Sequence, residues 1–547
     1  MFFTLFILLL GQVSFFDELE PLYPDANSGD GSIVWQSDVA IDTPAGVHLL
    51  INRSRFNPSR LTVRDLDGKP VDGIDICRLH DVPVEENTGL DSRTEQFKGD
   101  LNPHVIRRAP FRIYEAIEPL YAEDASVELD EKEGPLALRL MFQSPVAGVH
   151  DLQLVFDDET ESRTLPWRIE VHDWKPDAPG LQSFGYTNWF SPSVIAKEHD
   201  VALWSESFWP ILEEYARLMA RSGQNTFWMK WPDFFQRQDD RWKLDEKRLD
   251  RYIRTFFDAG LVRIEGAPIA RRPGGDWSSG TLELSIPVLP AESEQGLESL
   301  RDMAGQLRQF MEQRGWMDRW IQHIADEPTD VNAKAYSQLS SQLRDVIPGV
   351  PIVEATMSRE LIGAVDIWCP QVHKYQQNRA FFLERQAQGD EVWTYVCLVP
   401  GGPWLNRLMD QERLRSVYFA WAAERFGVQG FLHWGLNHYK ADPFEQSVVD
   451  HPAMPGTTNK LPAGDTHVVF PGPKGPWSST RLEAQRIGME DLSALRTLRR
   501  RDPEAADAMV ARLFRGYDDW EPDVEAYRAV RAQLLRQVAL EESSSNR

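Results

Sequence analysis

Between Ser32 and Val171 apolar and polar residues alternate in short runs: SIVWQ, GVHLLINR, RLTVRDL, PLALRLMF and HDLQLVF. Clusters of Gly, Pro, Asp and Asn separate them. Alternation with a period of two marks strands that bury one face, and the clusters between them mark turns. Asp67-Gly68 and Asp158-Glu159 stand where hairpins would reverse. The pattern predicts an antiparallel β-sandwich over residues 32–175. Its last run, LPWRIEVHDW, leads into Lys175-Pro176-Asp177-Ala178-Pro179-Gly180, which ends the regular pattern and marks a domain boundary.

After Gly180 the rhythm changes to short apolar runs alternating with helical stripes, the signature of βα units around a parallel sheet. Candidate strands are LQSFGYT (181–187), NTFWMKW (225–231), LVRIEGAP (261–268), RWIQHIAD (319–326), PIVEATM (351–357), DIWCPQVH (366–373), EVWTYVCLV (391–399) and GFLHWGL (430–436). Eight such strands predict a (β/α)8 TIM-like barrel over 180–460. A doubly wound open sheet is the rival, but no glycine-rich phosphate turn follows the first strand. Phe208, Ile211, Leu212, Tyr215, Leu218 and Met219 recur at helical spacing, as do Leu300, Met303, Ala304, Leu307, Phe310 and Met311, with Gly315 as a C-cap. These stripes read as core. The connection after the third strand, containing RRPGGDWSSG, is long enough to be functional and would lie over the barrel mouth. Residues 461–540 read as a charged helical extension packed on the barrel, with Leu492, Leu495 and Leu498 on its apolar face.

Composition narrows the function. A chain of 547 residues exceeds one core, and its net charge of −25 with no basic stripe excludes a nucleic-acid partner. Nineteen Trp are many; most are assigned to packing and the remainder to stacking against sugar rings. Cys77, Cys369 and Cys397 have no metal-ligand spacing and read as free thiols. No metal constellation is visible and no cofactor is expected. The apolar run Phe2–Leu10 is too short to span a bilayer, so no membrane span is expected. It reads as the core of a signal peptide over residues 1–16, with small residues at Gly11 and Ser14, which predicts a secreted or periplasmic protein.

The fourth candidate strand ends in HIADEP, His323 to Pro328. Successive strand residues face opposite sides, but Pro328 signals that the strand stops here, and termination would let both Asp326 and Glu327 project into a barrel mouth. The alternative is a helix start, since Asp, Glu, Pro and Asp330 are all favoured at helix N-termini. His323 reads as a satisfied histidine of the inner wall. In the downstream block, Arg481, Glu483 and Arg486 read as a buried structural ion pair, while Asp465 sits in a Gly-Asp-Thr turn.

HIADEP with Tyr336 downstream, the strand GFLHWGLNHY and the block GDTHVVFPGPKGPWSSTRLEAQRIGMED together resemble glycoside hydrolase family 123. The resemblance covers the barrel and tail and, more loosely, the sandwich, where RLHDVPVEE and IEVHDW match in character. It implies an exo-acting β-N-acetylgalactosaminidase with a retaining, substrate-assisted mechanism. The substrate's 2-acetamido oxygen would attack the anomeric carbon. Glu327 would act as acid and base, and Asp326 would hold the acetamido N–H and stabilise the developing charge. A glycan or glycoconjugate is then the partner. Further candidates at strand ends are Tyr395, as a hydroxyl for the acetamido oxygen, and Trp434, as a stacking platform. Asn437, Trp393, Asn188, Trp231 and His373 are polar or aromatic groups of the right kind. Two rivals stay open: a glycosidase of a non-acetamido sugar with Glu354 or Glu265 as protein nucleophile, and a non-catalytic carbohydrate-binding protein.

Overall fold

A computed structural model describes residues 12–54, 56–91, 93–130, 134–239 and 241–539. The apolar run Phe2–Leu10 lies outside the described residues. Val13–Phe16, expected to be part of the leader, forms a strand paired antiparallel with Ala45–Ile51, and Val13 and Phe15 are buried. A cut after Ser14 would therefore remove half of a core strand.

The N-terminal region is rich in sheet. One sheet runs in the order Val13–Phe16, Ala45–Ile51, Leu136–Phe142, Ile74–Val84, Phe111–Leu120. The facing sheet runs Trp35–Ala40, Ser162–His172, Gly148–Asp157, Arg60–Asp65, Ser126–Glu128. Alternating side chains such as Val47, Leu49, Leu138, Leu140, Leu154, Phe156 and Trp167 fill the space between them. Trp35–Ala40 runs parallel to Ser162–His172, the one departure from the antiparallel pattern expected here. The first sheet is then lengthened by Gly475–Ser479 and Phe470–Gly472 from the far end of the chain. The extension expected over 461–540 thus also contributes a hairpin to the N-terminal sheet before its helices begin at Thr480.

The eight parallel strands are β1 (Gly185–Asn188), β2 (Thr226–Met229), β3 (Arg263–Gly266), β4 (Trp320–Gln322), β5 (Val353–Glu354), β6 (Ile367–Trp368), β7 (Glu391–Val396) and β8 (Gly430–His433). They form a five-stranded half-barrel, β1-β8-β7-β6-β5, and a three-stranded sheet, β2-β3-β4. Asn225 N donates to Tyr186 O at 3.2 Å beside one edge, and an isolated parallel bridge joins Gln322 to Ile352 beside the other. Helices α1 (Phe208–Arg221), α2 (Glu246–Ala259), α3 (Glu294–Arg314), α4 (Ala333–Val346), α5 (Arg379–Ala387) and α6 (Leu414–Phe426) connect the strands, but the crossover from β5 to β6 has only a 3-10 turn. The buried faces of α1 and α3 are the predicted stripes, and Gly315 caps α3 with φ +66°. The C-terminal region is helical: α7 (Thr480–Arg501), α8 (Pro503–Leu513) and α9 (Val524–Ala539). Among the described residues no helix is long and apolar enough to cross a membrane.

Between the first sheet and α7 lies a buried ionic network. Arg139 donates to Glu18 at 2.6 Å and to Glu483 at 3.4 Å, and Arg486 reaches Glu483 at 2.9 Å. Arg481 and Arg413 converge on Glu115 at 2.5 and 2.9 Å. The expected structural ion pair is thus one part of a larger seam.

Candidate active site

Strand β4 stops at Gln322, and His323 to Pro328 continue irregularly. Glu327 adopts φ +48°, a left-handed conformation that costs a residue with a Cβ about 1–3 kcal/mol. The reversal lets Asp326 and Glu327, which a continuing strand would send to opposite faces, line one open cleft of about 570 Å³. Helix α4 begins only at Ala333, after Asn332, so the pair stands outside its first turn. The helix-start alternative therefore does not describe these residues.

The strained turn is held from the long loop after β3. Arg272 donates to the carbonyl of Asp326 at 3.1 Å and to that of Glu327. Ala270–Arg271 and Glu283–Leu284 pair antiparallel within the loop, and Ala270 N donates to Ile324 O at 2.9 Å. The loop thereby continues the hydrogen bonding beside β4. From the opposite wall, the Tyr395 hydroxyl donates to Glu327 Oε1 at 2.6 Å. Asp326 has an open side toward the cleft, but protein atoms thin the water around it, and its carboxyl is raised above the usual range. The negative charge of Glu327 adds to that rise, as like charges resist ionising together.

Beneath the pair, His323 is fully buried between two carboxylates, with Nε2 at 2.8 Å from Glu265 and Nδ1 at 3.0 Å from Glu354. Burial alone would lower its pKa, but Glu354 and Glu265 outweigh that and push it up to about 10, so both ring nitrogens donate. Glu265 also accepts from Thr187 and Trp189, and Glu354 from Tyr336 and the backbone of Ile324 and Ala325. Both carboxylates have no exposed surface. His323 is thus the satisfied wall histidine expected, and Glu265 and Glu354 cannot present a free oxygen to a sugar as they stand.

The remaining candidates divide. Trp434 is half-buried at the end of β8, and its Nε1 donates to buried Asp465 at 3.1 Å. His373 is half-buried with its ring 5.9 Å from that of Trp404, and burial, helped by Lys374, lowers its pKa to about 4. Tyr395 is at the mouth, but its hydroxyl meets Glu327 instead of standing free for an acetamido oxygen. Four expectations are corrected. Asn188 is buried, donating to Tyr186 and Gln224 at 3.0 Å and accepting from Arg407 at 2.7 Å. Asn437 is buried and cross-links the backbone N and O of Ser191 at 2.9 and 3.2 Å. Trp231 is packed in the helical layer with its Nε1 on Gln322 at 3.1 Å. Trp393 points inward like Tyr395, two residues on, but packs against Gly185 and Gly430 at the strand starts. Its parity is right and its place along the strand is wrong.

Sequence reading flagged the long loop without selecting Arg272 or Trp277. Trp277 lies over Arg272, whose guanidinium carbon is 4.0 Å from the ring centre, and lines the same cleft as Asp326 and Glu327. A cation and an aromatic in a loop that must cross the mouth were the available signal.

A family model described as glycoside hydrolase 123, catalytic domain, matches residues 189–498. No curated protein matches. Among solved structures, a family 123 glycoside hydrolase from Clostridium perfringens, whose structure details glycolipid glycan hydrolysis, aligns over 97% of this chain and 98% of its own at 14% identity and TM-score 0.67. That likeness is one of fold. The β-glucuronidase 3 of Bacteroides uniformis (9% identity, 82% and 50% covered, TM-score 0.33) and the endo-β-1,4-mannanase of Thermotoga petrophila (10%, 57% and 77%, 0.35) are too distant to carry an argument. The family match spans more than half of the 547 residues, and this protein belongs to glycoside hydrolase family 123.

Proposed function

We propose that this glycoside hydrolase is an exported, exo-acting enzyme that releases terminal β-linked N-acetylgalactosamine with retention, through an oxazolinium ion formed by the substrate's own acetamido group. The carrying observation is the acid pair in one cleft above two sealed carboxylates. Asp326 and Glu327 line the opening, whereas Glu265 and Glu354 are buried and occupied by His323 and other donors. With no protein nucleophile offered by those two, the acetamido oxygen is the economical one. Tyr395 holds Glu327 Oε1, which leaves the other oxygen to give its proton to the leaving oxygen and later to take one from water. Asp326 faces the same opening; with the proton that the pair shares on Glu327, its carboxylate can accept the acetamido N–H and balance positive charge at the ring. We read the two parallel sheets as one closed (β/α)8 barrel over 180–460, flanked by the sandwich over 32–175 and the extension over 461–540. The apolar N-terminal run is the proposed export signal.

The test is a panel of aryl β-glycosides with and without the 2-acetamido group. Turnover confined to the acetamido sugars, with strong inhibition by a thiazoline mimic of the oxazolinium ion, is expected. A fluorosugar trapped on Glu354 or Glu265, or glycan binding without turnover, would replace this reading with one of its rivals.

A further inference from the structure

Of the nineteen tryptophans, Trp277 is the only exposed one among the described residues, at 56%. A lone exposed aromatic is ordinary on a protein surface, but this one is built into place. Gly274 and Gly275 both take left-handed φ, +61° and +71°, and the turn they make brings the chain back over Arg272. Asp276 Oδ1 accepts the Ser278 N–H at 2.9 Å and its hydroxyl at 2.7 Å, which fixes the backbone on the far side of the indole. One ring face rests on the Arg272 guanidinium, a cation–π contact, while that same guanidinium grips the carbonyls of the acid pair. The other face is open.

The position has a chemical meaning. A terminal sugar entering a barrel goes toward the inner wall, where Tyr395 and Trp434 stand, and its leaving group stays outward. The general acid must lie beside the glycosidic oxygen between the two. The cleft that holds Glu327 together with Trp277 is therefore on the leaving-group side, and its rim carries the Arg271–Glu283 pair at 2.9 Å and Ser285.

We infer that Trp277 is the platform for the leaving group: the first ring of the aglycone stacks on its open face. The inference rests on the function proposed above and adds to it the residue that receives the leaving group. The experiment compares a β-N-acetylgalactosaminyl fluoride, which has no aglycone ring, with a disaccharide carrying a terminal β-N-acetylgalactosamine. Trp277→Ala is expected to lower kcat/KM on the disaccharide roughly tenfold, the scale of one aromatic stacking contact, and to change the fluoride by less than about twofold. Trp277→Phe is expected to recover part of the loss, with thermal melting unchanged in both variants. Equal losses on the two substrates would mean that Trp277 acts through Arg272 on the acid pair, and no loss on the disaccharide would remove the platform; either overturns the inference. A wild type inert on both substrates would instead overturn the underlying activity, and the subsite with it.

Discussion

The molecule holds two dense groups of acids, and they are built on opposite rules. In the seam between the N-terminal sheet and α7, every carboxylate faces arginine: Glu18 and Glu483 meet Arg139, and Glu115 meets Arg413 and Arg481. Burial pushes the Glu18 carboxyl up, but Arg139, Arg528 and Arg486 outweigh it and hold the group down to about 2. In the cleft, acid faces acid, and Asp326 is held above the ordinary range by thinned water and by Glu327. Complementary charge makes the seam a device for holding domains in register. Like charge makes the cleft a place where a proton is kept at a cost to the fold.

Three substitutions break or sharpen this contrast. Glu327→Gln, which leaves shape intact, is expected to lower kcat by about 10²–10⁴-fold on a substrate with a poor leaving group while melting stays at the wild-type temperature; near-normal turnover would sink the assignment. Glu483→Ala removes the acid that Arg139, Arg221 and Arg486 share, leaving Arg139 with Glu18 and Arg486 with Glu490, and should cost about 1.5–3 kcal/mol in denaturant unfolding. The same network sets the acid limit. Because Glu18 is depressed from 4.5 to about 2, its contribution is complete above pH 4.5 and drains away as pH falls toward 2. Asp326 shifts the other way, so ionising it opposes folding. Asp326→Asn should lower activity about 10²–10³-fold yet raise stability at neutral pH slightly, by less than about 1 kcal/mol because its open side is screened by water. Melting curves at pH 7 decide this: a less stable Asp326→Asn protein would contradict the like-charge account.

Much of this was readable from the sequence. The eight parallel runs, the stripes of α1 and α3 and the turn at Pro328 follow from local periodicity and chain-breaking chemistry, which act within a few residues. The acid pair was legible because Pro328 ends a strand just past it. What failed was non-local. The hairpin at Phe470–Ser479 reads poorly as strand because its partner, Phe111–Leu120, is far away in sequence and its own residues include Pro471 and Pro476. Trp393 failed because alternation reports which way a side chain points and not how far along the strand it sits; Asn188 failed because it has the parity opposite to Thr187 and Trp189, which reach Glu265, and meets Arg407 instead. Arg272 was hidden since its partners are backbone carbonyls, which leave no trace in residue type.

The hairpin at Phe470–Ser479 also bears on the order of synthesis. The first sheet of the protein is completed at its edge by strands made long after the rest of it. Until the ribosome has passed Ser479, Phe111–Leu120 has no neighbour on that side and stands as an open edge, a known invitation to wrong pairing. A nascent chain cut short among the parallel strands would thus carry an unfinished front end, and separating the first 175 residues as a stand-alone fragment would expose the same edge permanently.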